Sequence, residues 1–388
     1  MKTAFYDIAV AGAGVAGAAA AVQSARAGKK TVLVEKTFQP GGLATGGLVM
    51  IWLPMCDGNG RQVCAGMAEE FFHAAMRYGP GEPPPDWRNA RHAPPRERLH
   101  CLFSPASLIL ALDELLEESG VEILYDSRIC KARVDRGTLT SFTIENGRGR
   151  SKIAARRFVD ATGDAVLARL AGASCERVSD MLSMWHLACD EYALGDYRWT
   201  DVDDERIVLR TDSWPLSTNA DDPAGDLRTA RRLLREWYKD RLSEGMERTR
   251  LFPLALPSIP QTRSSWFIRA ARSVPDDPAI RRFPDSVALV PDWRVPGPVA
   301  EIPFGALLPV SGPKNLLAAG RCAGAQGRGR DMIRSIPACV ATGQAAGLAA
   351  SLSLDRCIPP DELDAEELQR KLRLLSIPLF ADEFADRT

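Results

Sequence analysis

The first thirty-five residues restrict the fold more than any other part of the chain. A short apolar stretch at 5–11 runs into Gly12-Ala13-Gly14-Val15-Ala16-Gly17. An alanine-rich stretch follows to Ala27, then a second apolar segment, Thr31-Val32-Leu33-Val34, ended by Glu35. The short apolar runs read as buried strands, and the stretch between them reads as a helix that Gly28 closes. Gly12 allows the tight turn, Gly14 has no side chain to hold off a pyrophosphate, and Gly17 lets the helix pack closely on the sheet. The helix start at Val15, Ala16 and Gly17 offers free N–H groups and the positive end of its dipole to phosphate. Glu35, eighteen residues past Gly17, is placed to accept hydrogen bonds from ribose hydroxyls. A carboxylate there disfavours a 2′-phosphate and so argues against NADP. A lone glycine motif would say little, but strand, loop, helix, strand and acid in this order read as a dinucleotide-binding unit.

That unit does not separate FAD from NAD; the next segment does. Lys36 is followed by Gly41-Gly42-Leu43-Ala44-Thr45-Gly46-Gly47, four glycines in seven residues. Such a ribbon implies backbone packed against something flat or charged. It suits the pyrophosphate and isoalloxazine of FAD, with Gly42, Leu43, Ala44 and Thr45 as contacts beside Glu35 and Lys36; the competing reading is a flexible loop. Residues 156–160 read as a strand that runs into Ala161-Thr162-Gly163-Asp164, and residues 316–319 as another that runs into Gly320-Arg321. Small residues at the carboxyl edges of parallel strands are where a dinucleotide lies in doubly wound folds. Gly320 lets backbone approach the cofactor, and Arg321 offsets phosphate charge. Pro337 suits the first turn of a helix running to Ala350. With Ser335 and Ile336 at its start, the helix dipole would favour anionic reduced flavin; plain core packing also fits its Ala/Gly content. Residues 123–129 read as one alternating strand.

Taken together, these stretches resemble the FAD-dependent oxidoreductase family, which has a glutathione-reductase-type FAD fold and is related to fumarate-reductase-like flavoproteins. The resemblance covers roughly residues 1–80, 97–177 and 297–375. It rests on Leu102-Phe103-Ser104-Pro105 through Gly120-Val121-Glu122-Ile123-Leu124-Tyr125, and on Phe158-Val159-Asp160-Ala161-Thr162-Gly163-Asp164. It rests also on Glu301-Ile302-Pro303-Phe304-Gly305-Ala306-Leu307-Leu308-Pro309, continuing through Asn315 to Arg321. The most specific part is Ile333-Arg334-Ser335-Ile336-Pro337 with Ala341-Thr342-Gly343-Gln344-Ala345-Ala346-Gly347. The resemblance implies an α/β fold: a Rossmann-type FAD-binding domain built from discontinuous segments, 1–177 and 298–388, with an inserted α+β substrate or cap domain at 178–297. It implies that Ile129 meets the adenine through its backbone. Between Arg321 and Pro337 the family commonly has two histidines, where this chain has Gly327 and Arg330. Arg328, Arg330 and Arg334 could instead clamp a carboxylate or phosphate, solvate a loop, or contact the FAD phosphates. Arg334 matches the family's arginine. At least one of Arg330 and Arg334 is expected to face the flavin and an anionic group of the substrate, and both are taken as catalytic candidates.

Six prolines between 80 and 95 predict a loop of stiff segments. The 178–297 stretch holds six of the eight tryptophans, more often core than substrate-stacking in such a cap. Leu233, Leu234 and Trp237 have helical spacing there. His186 is the cap's best-placed catalytic candidate, although a lone histidine in an apolar strand more often serves the core. Residues 361–375 read as a closing amphipathic helix. With 49 Lys+Arg against 50 Asp+Glu, neither a nucleic-acid face nor a polybasic membrane anchor is expected. The longest apolar run is too short to span a bilayer. Nine cysteines without a C-x-x-C, and only four histidines, predict reduced thiols in a cytoplasmic protein and no metal site. The expected function is hydride transfer between FAD and a small organic substrate, anionic where an arginine faces it, with oxygen or an external acceptor closing the cycle. A flavin monooxygenase, or a non-catalytic flavoprotein subunit or sensor, stands as the alternative.

Overall fold

The computed structural model describes residues 3–59, 61–79, 101–193, 207–277 and 282–383. The proline-rich stretch expected as a loop at 80–95 lies outside the described residues. The chain opens with β1 (Thr3–Ala11), α1 (Val15–Arg26) and β2 (Thr31–Val34), then α2 (Met67–Met76) and α3 (Pro105–Glu118). Pro105 fixes the first turn of α3, and the Ser104 hydroxyl caps it by accepting the Ser107 N–H. Next come β3 (Glu122–Leu124), β4 (Arg128–Asp135), β5 (Thr138–Asn146) and β6 (Gly149–Asp160). The cap holds β7 (Met181–Asp190), β8 (Ile207–Ser217), α4 (Pro223–Ser243) and β9 (Leu251–Ala255). The chain ends with β10 (Ser286–Pro291), β11 (Val299–Pro303), β12 (Leu316–Ala318), α5 (Gly327–Ile333), α6 (Ile336–Asp355) and α7 (Ala365–Leu374).

The central sheet has a parallel part ordered β3-β2-β1-β6-β12. β4 and β5 extend the first half of β6 as an antiparallel meander. This is the doubly wound, Rossmann-type α/β arrangement, assembled from segments at both ends of the chain. The single strand expected at 123–129 is two strands. Asp126 takes a left-handed backbone (φ 50), and the Asp126 and Ser127 N–H groups bond Thr37 O and Glu35 O at 3.0 and 2.8 Å. The chain thus turns across the end of β2. The closing helix is shorter than expected because Asp364 caps it, accepting the Glu366 N–H at 3.0 Å.

α6 is buried on every side, and its glycines explain how. A β-carbon at Gly343 or Gly347 would collide with the carbonyl of Ala16 or Ala20 on α1. The two helices therefore meet backbone to backbone, fastened by Gln344 Nε2 donating to Gln23 Oε1 at 3.0 Å. In the cap, β8-β7-β9 form an antiparallel sheet. α4 covers it through a core of Leu182, Met184, Ala230, Leu234, Tyr238 and Leu251, with Trp214 and Trp237 packed alongside. The chain leaves this sheet at Ala255, well before the boundary expected at 297, and β10 packs fully buried in the main core. None of the nine cysteines is joined in a disulfide. Among the described residues no helix is long and apolar enough to cross a membrane.

Candidate functional site

β1 and β6 are neighbours, but from β1 the chain passes to β2 on one side, while β12 lies beyond β6 on the other. Loops at such a reversal of strand order diverge and leave a crevice at the carboxyl edge of the sheet. A cleft opens there. Of the residues expected to contact the cofactor, it is lined by Gly12, Gly14, Val15, Ala16, Glu35 and Lys36 from the first βαβ unit. Gly42, Leu43 and Ala44 line it from the ribbon, and Ala161, Thr162, Gly163 and Asp164 from the end of β6. Arg321 and Ile336 complete the set.

The glycine loop divides its labour. A β-carbon on Gly12 (φ +91) would fall 2.7 Å from Ala161 O, and one on Gly17 would collide with Gly12 O. Both glycines hold the loop against the sheet, and Gly17 does not reach the cleft. A β-carbon on Gly14 would meet nothing within 4 Å; that face is open. The first bond of α1 runs from Ala18 N–H to Gly14 O at 2.9 Å, so the amides of Val15, Ala16 and Gly17 precede the helical ladder. Glu35 is buried, with Oε2 accepting the Ala13 N–H at 2.8 Å and Oε1 accepting the Thr37 N–H and hydroxyl, each at 2.9 Å. Gly41 N–H bonds Ala13 O at 2.7 Å, laying the ribbon along the loop as a short 3-10 turn, Gly42–Ala44. Thr45 steadies the ribbon from behind: it is buried and donates to Pro40 O at 2.6 Å.

Asp160 organises the β6 edge, a role not read from the sequence. Fully buried, it accepts the Thr162 N–H and hydroxyl at 3.0 and 2.7 Å and the Ala168 N–H at 2.7 Å. Burial pushes its pKa up, against these hydrogen bonds pulling down. The Cys322 sulfur takes the Gly163 and Ala165 N–H groups at 3.1 and 3.3 Å, and burial raises its pKa well above a thiol's usual value. Arg321 donates to Thr262 O and lies 3.9 Å from the Asp164 carboxylate. Gly320 sits behind it, its N–H on Thr342 Oγ1 at 2.9 Å. Ser335 occupies the N-cap of α6, its hydroxyl buried without a partner. Ile129 is half-buried on β4 and does not line the cleft.

The arginine segment is a short helix, α5, rather than a loop, and its three guanidiniums go different ways. Arg328 pairs with Asp292. Arg334 lines the cleft and donates to Asp331 at 2.9 Å; burial lowers its pKa. Arg330 is buried away from the cleft lining, 3.7 Å over the Phe267 ring, and donates to Arg321 O at 3.2 Å. Its Nε and Nη1 have no partner, and burial, followed by the charge of Arg321, takes its pKa down to about 10. His186 belongs to the cap interior: fully buried, with Nε2 2.9 Å from the Tyr238 hydroxyl and Nδ1 3.5 Å from Asp212. Of the three expected catalytic residues, only Arg334 reaches the cleft.

Sequence reasoning missed the wall that faces the cofactor side: Ile259, Pro260, Thr262 and Arg263. This segment is clipped in place by Gln261, whose Oε1 accepts the Trp185 N–H at 2.6 Å while Nε2 donates to Trp185 O and Gly47 O. Arg263 stacks 4.0 Å over Trp185. Burial, then the charge of Arg334, lowers its pKa to about 10.

This fold and cleft define a dinucleotide-binding flavoprotein. The FAD dependent oxidoreductase model matches residues 7–183 and 196–372, so the chain belongs to that family: it is an FAD-dependent oxidoreductase. No curated protein matches its sequence. Among solved structures it is similar to a geranylgeranyl bacteriochlorophyll reductase-like protein from Thermoplasma acidophilum. That match has 13% identity and a TM-score of 0.53, and it covers 96% of this chain and 83% of that one. It is also similar to p-nitrophenol 4-monooxygenase from Pseudomonas putida, at 14% identity and a TM-score of 0.52, covering 96% of this chain and 84% of that one. At such identities the likeness is one of fold. The cleft fits FAD on its own terms: an open face at Gly14, a helix N-terminus beside it, the Glu35 carboxylate at the end of β2, and the guanidiniums of Arg263, Arg321 and Arg334 in its lining.

Proposed function

We propose that the chain is a dehydrogenase or oxidase that transfers a hydride between a small organic substrate and FAD, with oxygen or an external acceptor closing the cycle. The observation that carries this reading is the start of α6. Ile336 and Cys339 line the cleft at the positive end of a 20-residue helix, and Arg334 precedes them. Positive potential fixed in a shielded cleft favours the negative charge that builds when a flavin takes two electrons. FAD, when bound, supplies the two-electron chemistry.

The chain's own residues do the rest. The amides at Val15 and Ala16, the Gly42 ribbon and Arg321 would hold the phosphates, and Glu35 the ribose, with Lys36 beside it. Ala161–Asp164, Ile336 and the Ser335 cap would flank the ring system. The 259–263 segment, tied by Gln261 to both β7 and the ribbon, would exclude water and seat the substrate. Arg334, oriented by Asp331, would face the substrate. We assign His186 to packing, because its ring already serves Tyr238 inside the cap.

The test is the visible spectrum of the purified protein during anaerobic titration with candidate metabolites. Bleaching of bound FAD by a substrate without oxygen is the expected result. A colourless protein that takes up no FAD overturns the reading. Oxygen incorporated into product from labelled O₂, with no anaerobic bleaching, makes the enzyme a monooxygenase instead.

A further inference from the structure

We propose that Arg263 is the substrate-anchoring residue of the cleft and that the group it anchors is a carboxylate, with Arg334 as the second arm. This rests on the reading above only in taking the cleft as the place where substrate binds.

The protein leaves one charge at the cleft without a hydrogen-bonded partner. Arg263 lines the cleft and keeps part of its surface open to it, yet its Nε and Nη2 are buried with no hydrogen-bond acceptor. A buried guanidinium left this way is costly unless an anion completes it. The acids at hand do not. Asp331 is shared between Arg334 and Arg294. Asp164 lies with Arg321. Asp180 bears on Arg263, Arg330 and Arg334 together but bonds none of them: its Oδ1 accepts the Met181 N–H at 2.7 Å and its Oδ2 is buried without a hydrogen-bond partner. The cleft is the open side from which an anion can complete Arg263.

The side chain is also held ready for it. Its planar group is stacked 4.0 Å over Trp185. The Trp185 backbone is bonded at both N–H and C=O by Gln261, two residues from Arg263. A flat guanidinium fixed in orientation by an aromatic platform matches a planar two-oxygen acceptor. The FAD phosphates are the other anions in such a cleft, but the α1 amides and Arg321 already answer them. Arg263 lies on the segment returning from the cap, next to Thr262, whose carbonyl takes up Arg321.

The test uses FAD-saturated enzyme in its oxidised form, without turnover. Calorimetry measures binding of acetate, succinate and benzoate, each against its neutral amide. At least one carboxylate should bind saturably while its amide does not. Arg263→Gln should weaken that binding by about tenfold or more, the loss of one charge-assisted contact, with FAD content and Tm unchanged. Arg263→Lys, which keeps the charge but loses the fork, should fall between, and it gives the comparison if the glutamine variant does not fold. The proposal is overturned if none of the carboxylates binds the wild type, if the variants bind them equally well, or if the variants lose FAD, which would make Arg263 a phosphate ligand. Because no reaction is involved, the dehydrogenase reading can fail in the anaerobic titration while this result stands, and the reverse.

Discussion

Glu35 Oε2 accepts the Ala13 N–H at 2.8 Å, so the acid that ends β2 also braces the glycine loop that ends β1. The carboxylate can accept about four hydrogen bonds, and the three made within the protein leave room for a ribose. Glu35→Ala should therefore do two things. FAD affinity should fall roughly a hundredfold, because hydrogen bonds to a charged acceptor are worth about 1.5–3 kcal/mol each. The apo-protein should also lose about 1–3 kcal/mol, because buried N–H groups are stranded. Glu35→Gln, which can accept from Ala13 but then turns its NH2 toward the Thr37 N–H, should lose less stability than Glu35→Ala and still lose much of the FAD. FAD occupancy after dialysis, read beside thermal melts, decides the matter. Full occupancy in both variants would show that Glu35 is not the ribose ligand.

The three glycines of the loop separate cofactor space from packing space. A methyl at Gly14 meets no protein atom within 4 Å, whereas one at Gly17 collides with the Gly12 carbonyl. Gly14→Ala should leave the apo Tm unchanged within error and abolish FAD retention, because its methyl occupies the open face beside the α1 amides. Gly17→Ala should destabilise the protein itself by about 1–3 kcal/mol or more, as overpacking against backbone does. Equal Tm losses in the two apo-proteins would mean that the open face at Gly14 is not cofactor space.

These contrasts also show what the sequence could reveal. β2 was readable to the residue because a buried parallel strand between a helix and an acid has little latitude. The loop at 161–164 was readable because small residues follow an apolar run. The braces behind them were not. Asp160 holds three donors in its own loop, yet an aspartate before small residues has no periodic or motif signal. Arg263 was illegible for a stronger reason. Its setting is made by Trp185, which it lies over, and by the charge of Arg334, both distant from it in the chain. Arg330 drew attention by its place in the segment, but the turn of α5 sends its side chain onto Phe267, a direction that depends on helix phase.

His186 carries a pH dependence that belongs to the cap rather than to the reaction. Burial holds its pKa below the ordinary 6.5, so the unfolded chain takes up the proton more readily than the folded one. The neutral ring's contribution is fully present above pH 6.5 and is lost as pH falls through the lower folded value. His186→Gln can still bond Tyr238 but cannot titrate. Melting curves between about pH 7.5 and pH 5 should show a smaller acid loss in the variant than in the wild type. The pH profile of kcat should be unchanged. A kcat that collapses in a variant of wild-type Tm would return His186 to catalysis.

Arg330 and Arg334, four positions apart, should respond in opposite ways. Arg334 lines the cleft and already has Asp331 to hold its orientation. Removing it takes a charge from the site without stranding a buried group at the centre of the fold. Arg334→Ala should therefore lower kcat/KM by about tenfold to a hundredfold, the worth of a charge-assisted contact, with FAD retained. Arg330 is buried on Phe267 with Nε and Nη1 unpartnered. Replacing a poorly compensated buried charge by an apolar side chain of similar length is often neutral or stabilising by about 1–4 kcal/mol. Arg330→Met should accordingly match or exceed the wild-type Tm and change kcat/KM less than Arg334→Ala does. If Arg330→Met instead loses FAD or activity while Arg334→Ala is silent, the anion-facing arginine is Arg330, and its unpartnered N–H groups are what the ligand satisfies.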